Sequence, residues 1–587
     1  MFGKIIYISD TSARVELKAN ATLATNLMNV HVVFEDKDHK ILGEIDDITT
    51  EYVTVTFLGE FINDKFFGGI IRKPTLSSIL RLINAKELEI IVGNNKDNSN
   101  FLLGGSVLYN NYPIMVNIND FFSNHFAIFG NSGSGKSCGV ARIVQNLFAN
   151  PNFLPYNANF LIFDSYGEYH NAFKEIGKNN PNYSFKYYST NEANDPDHIL
   201  RIPLWILSIE DFALLLQVDN HSQMQILERM LKMVAIFAAN EDQAVKYKNH
   251  LIAKGIMNIL YTNQTSSSKR NDIFGIINGC ETTEFNLNAP VQGLGYTRSF
   301  RECFNIDTKG NFPEMNLIID YVSSFIDDEL DKLDISTANF YTLQDLERAL
   351  NFTLISEGFL KNEQLYAECI KLKVRLHSLL IGEQAKFFNY PEYITVENYI
   401  ASLVSSNGQK SQIINFNLDD VDDTFAKTIT KIFARLLFNF TKNLGTRASV
   451  PFHLVMEEAH RYVQNDNDRY LLGYNIFECI AKEGRKYGII LNLISQRPVE
   501  LSDTVISQCS NFIIFKVTHP MDIDYIKKML PNISADIIEK QKSLQPGMCV
   551  AFGKSFKVPM IIKMQMPNPE PQSSNCDVVA RWQRGNN

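Results

Sequence analysis

The chain has 587 residues, 45% hydrophobic and 21% charged, with a net charge of −9 and a pI near 5.8, the balance of a globular protein of about three or four domains. No window approaches the roughly 18 consecutive apolar residues of a membrane span, and Asp10 and Arg14 interrupt the start too early for a secretory h-region; a cytoplasmic protein without a membrane segment is expected. Eight cysteines scattered from Cys138 to Cys576, with no C-x-x-C pair, argue against a zinc ribbon or disulfide scaffold, and the acidic balance gives no support for a protein coated in nucleic acid. Charge alone does not decide the partner, because a ring can be acidic outside and basic along its channel.

Residues 1–85 alternate short β-rich runs with turns: KIIYIS, SARVEL, HVVFED, KILGEIDDI and YVTVTFLG, broken by Gly43, Gly59 and Gly68-Gly69. This spacing predicts a small antiparallel barrel. Strand-helix alternation follows over 86–195. Within it, HFAIFGNSGSGKSCGV sets an apolar run, a turn and a helix-like pattern one after another. Gly130, Gly135, Lys136 and Ser137 fill G-x-x-x-x-G-K-[ST], so Gly130, Asn131, Ser132, Gly133, Ser134, Gly135, Lys136, Ser137 and Cys138 read as a phosphate-binding loop. Its backbone N–H groups and helix end would hold phosphate oxygens, with Lys136 on the β- and γ-phosphates and Ser137 on Mg²⁺. The run FLIFD, ending at Asp164, reads as a parallel strand buried on both faces.

From 196 to 395 the pattern turns helical: MQILERMLKMVAIFAAN, LIAKGIMNILYTN and DLERALNFTLI, separated by polar stretches such as TSSSKRND read as loops. A helical insertion is expected there. Strand-helix alternation resumes over 396–565 with SQIINFNL, FHLVMEE, GIILNLIS and NFIIFKV, and residues 566–587 form a proline-bearing tail too weakly patterned to place.

PFHLVMEEAHRYV delivers Glu457 and Glu458 to a strand's carboxyl end, where ligands of open α/β sheets bind. Glu457 is assigned to the metal and Glu458 to the attacking water; an acidic N-cap on a following helix is the competing reading. Arg485 precedes a buried strand and so falls at the opposite, amino edge, where it would serve a neighbouring subunit's site in trans, or else simply close a helix C-terminus. Gln496, at the far end of that strand, returns to the catalytic edge as a γ-phosphate sensor or water-aligning amide, the alternative being a strand-end hydrogen bond.

In number and order these motifs resemble the HerA/FtsK superfamily of ring-forming P-loop ATPases, and HerA in particular: ILGEI in the barrel, the loop after HFAIFG, IFDSYGEY, VMEEAHRYV, EGRKYGI and LISQRP. The resemblance covers roughly residues 1–175 and 410–565 and extends to the long helical insert. It implies an α/β fold with a RecA-like P-loop ATPase core, an N-terminal β-barrel and a large helical insertion. It further implies an ATP hydrolase using ATP and Mg²⁺, a homohexamer translocating double-stranded DNA through its channel, and a partner nuclease or sirtuin-like, NAD-hydrolysing effector in DNA processing or antiphage defence. Asp164 and Glu168 are placed near the nucleotide by the same resemblance. The chain departs from the family at Ser165 and Tyr166, where Pro-His is usual, and at Glu457, where Asp is frequent. Two rivals stand beside this reading: a nucleotide-regulated scaffold that assembles an effector with little DNA movement, and a conjugation-type pump, which the absent membrane segment disfavours.

Overall fold

Runs such as Phe126–Phe129 and Phe160–Asp164 carry no polar alternation, and every residue in both is buried, as strands covered on both faces require. The computed structural model describes residues 2–18, 27–37, 39–94, 97–193, 195, 198–239, 241–332, 340–356, 363–406, 408–466, 468–529, 541–573 and 578–582. Among these, eleven strands form one sheet in the spatial order Phe185–Ser189, Ile413–Asn417, Phe160–Asp164, Phe452–Met456, Ile489–Ser495, Phe126–Phe129, Asn511–Ile514, Met548–Gly553, Met560–Lys563, Asn100–Ser106, Pro113–Asn117. The first seven run parallel and the last four antiparallel. All seven parallel strands therefore end at one edge. The strand before Gln496 is inserted between the one feeding the phosphate loop and the one feeding Glu457.

Residues 2–82 build a seven-stranded antiparallel sheet among the described residues, in the order Phe2–Ile8, Ser12–Leu17, Tyr52–Ile62, Lys40–Ile48, His31–Glu35, Ile79–Leu82, with Lys65–Gly68 paired to Tyr52–Ile62. Among those residues no ladder joins the two end strands, although they lie close together, so the path is open in its hydrogen bonding. One face packs on itself through Val15, Phe34, Ile45 and Val53. The alternating residues Val33 and Leu42, with Phe61 and Phe66, enter the same core as Phe101, Phe121 and the phosphate-loop helix. Residues 1–198, 400–466 and 475–587 accordingly form one compact unit, in which the first 85 residues are not set apart.

The second unit comprises Ile199–Tyr399 and Asn467–Tyr474. It contains the helices His221–Ala238, Asp242–Leu260, Ser266–Cys280, Met315–Ser323, Leu343–Ser356 and Glu363–Ile381, with a hairpin of Pro290–Gly293 on Tyr296–Ser299. TSSSKRND, expected as a loop, is instead a capped helix start. The Thr265 side chain accepts from the Ser268 N–H, and Ile273, Ile276, Ile277 and Cys280 supply the buried face that holds those polar turns helical.

Gly139, inside the Lys136–Phe148 helix, sets tertiary fit against local propensity. A Cβ there would lie 2.5 Å from Cζ of the fully buried Phe515. Gly139→Ala should therefore lower the thermal midpoint although alanine is the better helix former, because overpacking of about 1–3 kcal/mol outweighs a propensity gain of about 1 kcal/mol. Scanning calorimetry of the two proteins decides this; a higher midpoint for the variant refutes it.

Candidate functional site

The phosphate loop leaves Phe129 at the carboxyl edge and is fastened on both sides. The Gly130 N–H donates to the Ser495 carbonyl (3.3 Å), Asn131 N–H to Lys516 O (2.9 Å), and Gly547 N–H to Ser134 O (3.0 Å). Gly135 has φ 102°, a left-handed conformation that turns the chain into the helix beginning at Lys136. At Gly130 the constraint is space: a Cβ would sit 2.6 Å from Ser134 Oγ and 2.7 Å from Phe515 Cβ. Lys136 is buried, with Nζ donating to the Asn131 carbonyl at 3.3 Å. Burial lowers its pKa, opposed by Glu458, Glu457 and Glu168 around it.

The acidic strand ends against this loop. Ser137 Oγ lies 3.5 Å from Glu457 Oε1, while Glu457 Oε2 and Glu168 Oε2 are buried without a hydrogen-bond partner. Burial, then the charges of Asp164 and Glu168, hold the Glu457 carboxyl well above the usual carboxylate range. Glu168 is raised too, chiefly by burial, against the pull of Ser137 and Lys136. Asp164 plays a different part from its neighbours. Its carboxylate accepts from the N–H groups of Glu168 (3.0 Å) and Tyr169 (2.8 Å) and from Asn415 Nδ2 (3.1 Å), so it shapes the turn that presents Glu168.

Glu458 sits at φ 47°, ψ 48°, left-handed for a residue with a side chain. It occupies the N-cap position of the Ala459–Arg461 turn but makes no side-chain cap bond, so the capping reading of this acid lacks its hydrogen bond. Its Oε1 accepts from Gln496 Nε2, and its Oε2 lies 3.3 Å from His460 Nδ1. Lys136, Ser137, Glu168, Glu457, Glu458 and Gln496 thus meet at one edge.

Arg485 does not join them. It follows a π-helical turn, Ile480–Gly484, and precedes Gly488 (φ 87°), which ends the helix before the Ile489–Ser495 strand begins at the amino edge. Arg485 is an exposed residue whose guanidinium donates to the buried Asn124 Oδ1 at 3.0 Å, and it lines a cleft with Phe122, Phe153, Tyr156 and His453.

Three contributors had no role assigned to them from the sequence alone. His125 is fully buried, accepts from Leu491 N–H at Nδ1 (2.9 Å) and bonds the Ala481 carbonyl through Nε2 (3.1 Å); burial holds its pKa down to about 4, so this neutral ring staples the Arg485 turn to its strand. Ser165, one of the family departures, donates to the Glu457 carbonyl at 2.9 Å and contacts the Tyr462 hydroxyl at 2.6 Å. His460 flanks Glu458 and reaches Ser495 Oγ at 3.2 Å. A histidine two residues after Glu458 was the available signal for the last; no local pattern marks the other two.

A family model described as "Helicase HerA, central domain" matches residues 102–290. A relative named "DNA double-strand break repair helicase HerA", from Saccharolobus solfataricus, is 30% identical over 198 residues, 33% of this chain and 39% of that one. The "Probable DNA double-strand break repair helicase HerA" of Methanocaldococcus jannaschii is 23% identical over 492 residues, 82% of this chain and 79% of its own length. The chain spans 39%, 33% and 51% of the first three curated relatives it matches. Among solved structures it is similar to VirB4 of Thermoanaerobacter pseudethanolicus (TM-score 0.44, 12% identity, 81% of this chain and 98% of that one) and to the bacterial conjugative coupling protein TrwBdeltaN70 (TM-score 0.42, 10% identity, 84% and 94%). In sequence the chain is thus similar to HerA-named helicases over these stretches, and its phosphate loop and paired acids lie at one sheet edge.

Proposed function

We propose that the chain is a Mg²⁺-dependent ATP hydrolase that works as a homohexamer and moves on double-stranded DNA. The observation that carries this reading is the convergence of Lys136, Ser137, Glu457, Glu458 and Gln496 on one edge, with Arg485 exposed on the other. The names of the relatives support duplex DNA as the polymer. No HNH or H-E-x-x-H string occurs in the chain, so any nuclease or NAD-hydrolysing step in DNA processing or antiphage defence belongs to a partner. The N-terminal module, about residues 1–85, carries no catalytic constellation among its described residues and serves assembly or docking.

Loop N–H groups and the positive end of the Lys136–Phe148 helix receive the β- and γ-phosphates, and Lys136 exchanges the Asn131 carbonyl for phosphate oxygens. Among the described residues no group of three or more His, Cys, Asp or Glu could hold a metal by itself. Ser137 and Glu457 nonetheless fit Mg²⁺: both offer hard oxygens, and Glu457 Oε2 is an unpartnered buried acceptor, with phosphate and water oxygens completing the shell. The ion, when bound, neutralises charge between the phosphates. Glu458, aimed by Gln496 and His460, orients and deprotonates the attacking water. The sheet separates Arg485 from its own phosphate loop, so its permanent charge acts on a neighbour's transition state.

Without nucleotide or divalent cation, ionising Glu457 costs the folded state. Its folded pKa is raised, so stability contributed by this group is full below the ordinary value of 4.5 and is lost as pH rises toward the folded value. Melting curves in EDTA should show Glu457→Gln more stable than wild type at pH 7, with the gap closing toward pH 4.5; a gap independent of pH, or reversed, contradicts this.

Phosphate-release assays should find Lys136→Ala slowed by about 10² to 10³-fold or more, and Glu458→Gln able to bind ATP yet barely turning it over. Full turnover by Lys136→Ala would sink the site. If instead Glu457→Gln traps ATP while Glu458→Gln hydrolyses it, the two acids exchange roles.

Arg485→Ala should assemble and bind ATP but lose about 10³-fold in turnover. Mixing it with Lys136→Ala under subunit exchange pairs an intact Lys136 with an intact Arg485 at some interfaces, and partial recovery of activity is expected. Verified mixed rings that stay inactive, alongside wild-type-diluted rings that keep activity, would place the arginine in cis.

A further inference from the structure

The tail that no sequence pattern could place is ordered against the phosphate-loop helix from Gln565 to Ser573. Arg142 Nη2 donates to Gln565 Oε1. One turn further, the Gln145 amide accepts from Asn568 N–H (2.9 Å) and donates to the carbonyls of Pro569 (2.9 Å) and Ala172 (3.1 Å). Asn171 Nδ2 donates to the Glu570 carbonyl (2.9 Å), and Gln572 N–H donates to the Glu168 carbonyl (2.8 Å). Pro567 and Pro571 are buried along this path, whereas Gln572 and Ser573 stay exposed.

Three pieces of chain therefore meet in one joint: the phosphate-loop helix, the turn carrying Glu168, and the tail. Glu168 needs such a joint. Its carboxylate lies beside Ser137 with Oε2 buried and unpartnered, an arrangement that favours swinging out to water. The turn is held from inside by Asp164 and by the fully buried Tyr169. Its outer side is held by the Gln572 N–H and by Asn171 gripping Glu570.

We propose that Gln565–Ser573 is a positioning strap which, through the Gln572 N–H on the Glu168 carbonyl, keeps the Glu168 carboxylate at the Ser137 end of the phosphate loop. This rests on the ATP-site reading above and extends it, since Glu168 becomes a working group of the site and Gln572 its positioning residue.

The test uses the full chain. Gln572→Pro removes that N–H from the strap while fixing φ at 572 and restricting Pro571, and Gln572→Ala keeps the N–H. Hydrogen exchange of the amides of residues 168–172, measured without nucleotide, should quicken about tenfold in Gln572→Pro, the worth of one hydrogen bond, and stay at the wild-type rate in Gln572→Ala. Turnover with Mg²⁺ and ATP should fall about tenfold in Gln572→Pro, fall at least as far in Glu168→Gln, and fall no further in the double variant, because both changes act through one carboxylate. Unchanged exchange in Gln572→Pro overturns the strap. Faster exchange with unchanged turnover, or losses that multiply in the double variant, overturns its action through Glu168. A wild-type protein that hydrolyses no ATP refutes the site reading and the role of Glu168 with it, while the exchange arm separately reports on the strap.

Discussion

The controlling constraint is the burial of Asp164, Glu457 and Glu458, with the half-buried Glu168, around the ammonium of Lys136. Carboxylates out of water are expensive unless hydrogen bonds or opposite charge meet them. Asp164 is met by two backbone N–H groups and Asn415, and Glu458 by Gln496. Glu457, Glu168 and Glu458 are not fully met, each keeping a buried oxygen without a hydrogen-bond partner. Lys136 alone does not balance them, and burial lowers its own pKa. The unliganded pocket thus holds unmet demand for a cation and for donors, which a magnesium–triphosphate complex satisfies together with the loop's own demand for phosphate oxygens. Stability is forgone where the ligand binds, as stability–function trade-offs lead one to expect.

Such a pocket has to be held from outside, because its own charges push it apart. Parallel strands deliver every group to one edge, and the inserted Ile489–Ser495 strand spaces the loop from the acids so that Gln496 falls between them. The left-handed Glu458 is a strained conformation kept by buried neighbours, Met456 and Ala459, with Ser165 fastening the preceding carbonyl. The same logic holds on the amino edge: a buried neutral His125 joins the π-helical turn to the strand, giving an exposed arginine a rigid base.

What was legible in the sequence was chemistry with a fixed local spacing. The phosphate loop, the paired acids at a strand end, Gln496 at one end of its strand and Arg485 at the other all follow from short motifs and the direction of parallel strands. The remainder depended on contacts between distant segments. Nothing near His125 says that its ring will meet Leu491, and nothing near Gln572 says that its N–H will meet Glu168. Asp164 was placed near the nucleotide by resemblance, yet its acceptors are consumed by N–H groups four and five residues downstream, a turn geometry invisible in composition. TSSSKRND misled because serine favours loops and caps alike, and only the apolar face from Ile273 to Cys280 decides between them.

The N-terminal sheet carries the same lesson into energetics. Tyr109, in the turn between Asn100–Ser106 and Pro113–Asn117, meets His31 of that sheet twice, its hydroxyl accepting from the backbone N–H at 3.2 Å and pairing with Nδ1 at 2.6 Å; burial raises its pKa to about 12 and keeps it neutral. Val33 and Leu42 add apolar area to the cluster containing Phe101, Ile114 and Val116. Strands that alternate their side chains between two cores cannot leave one without exposing it to water, at about 25 cal/mol per Å² of apolar surface. The small sheet is therefore coupled to the antiparallel end of the nucleotide sheet through packing. The packing runs on through Phe101 and Phe121 to the strand that ends in the phosphate loop, the Phe121 ring lying 4.7 Å from Phe126 at that strand's start in a tilted arrangement.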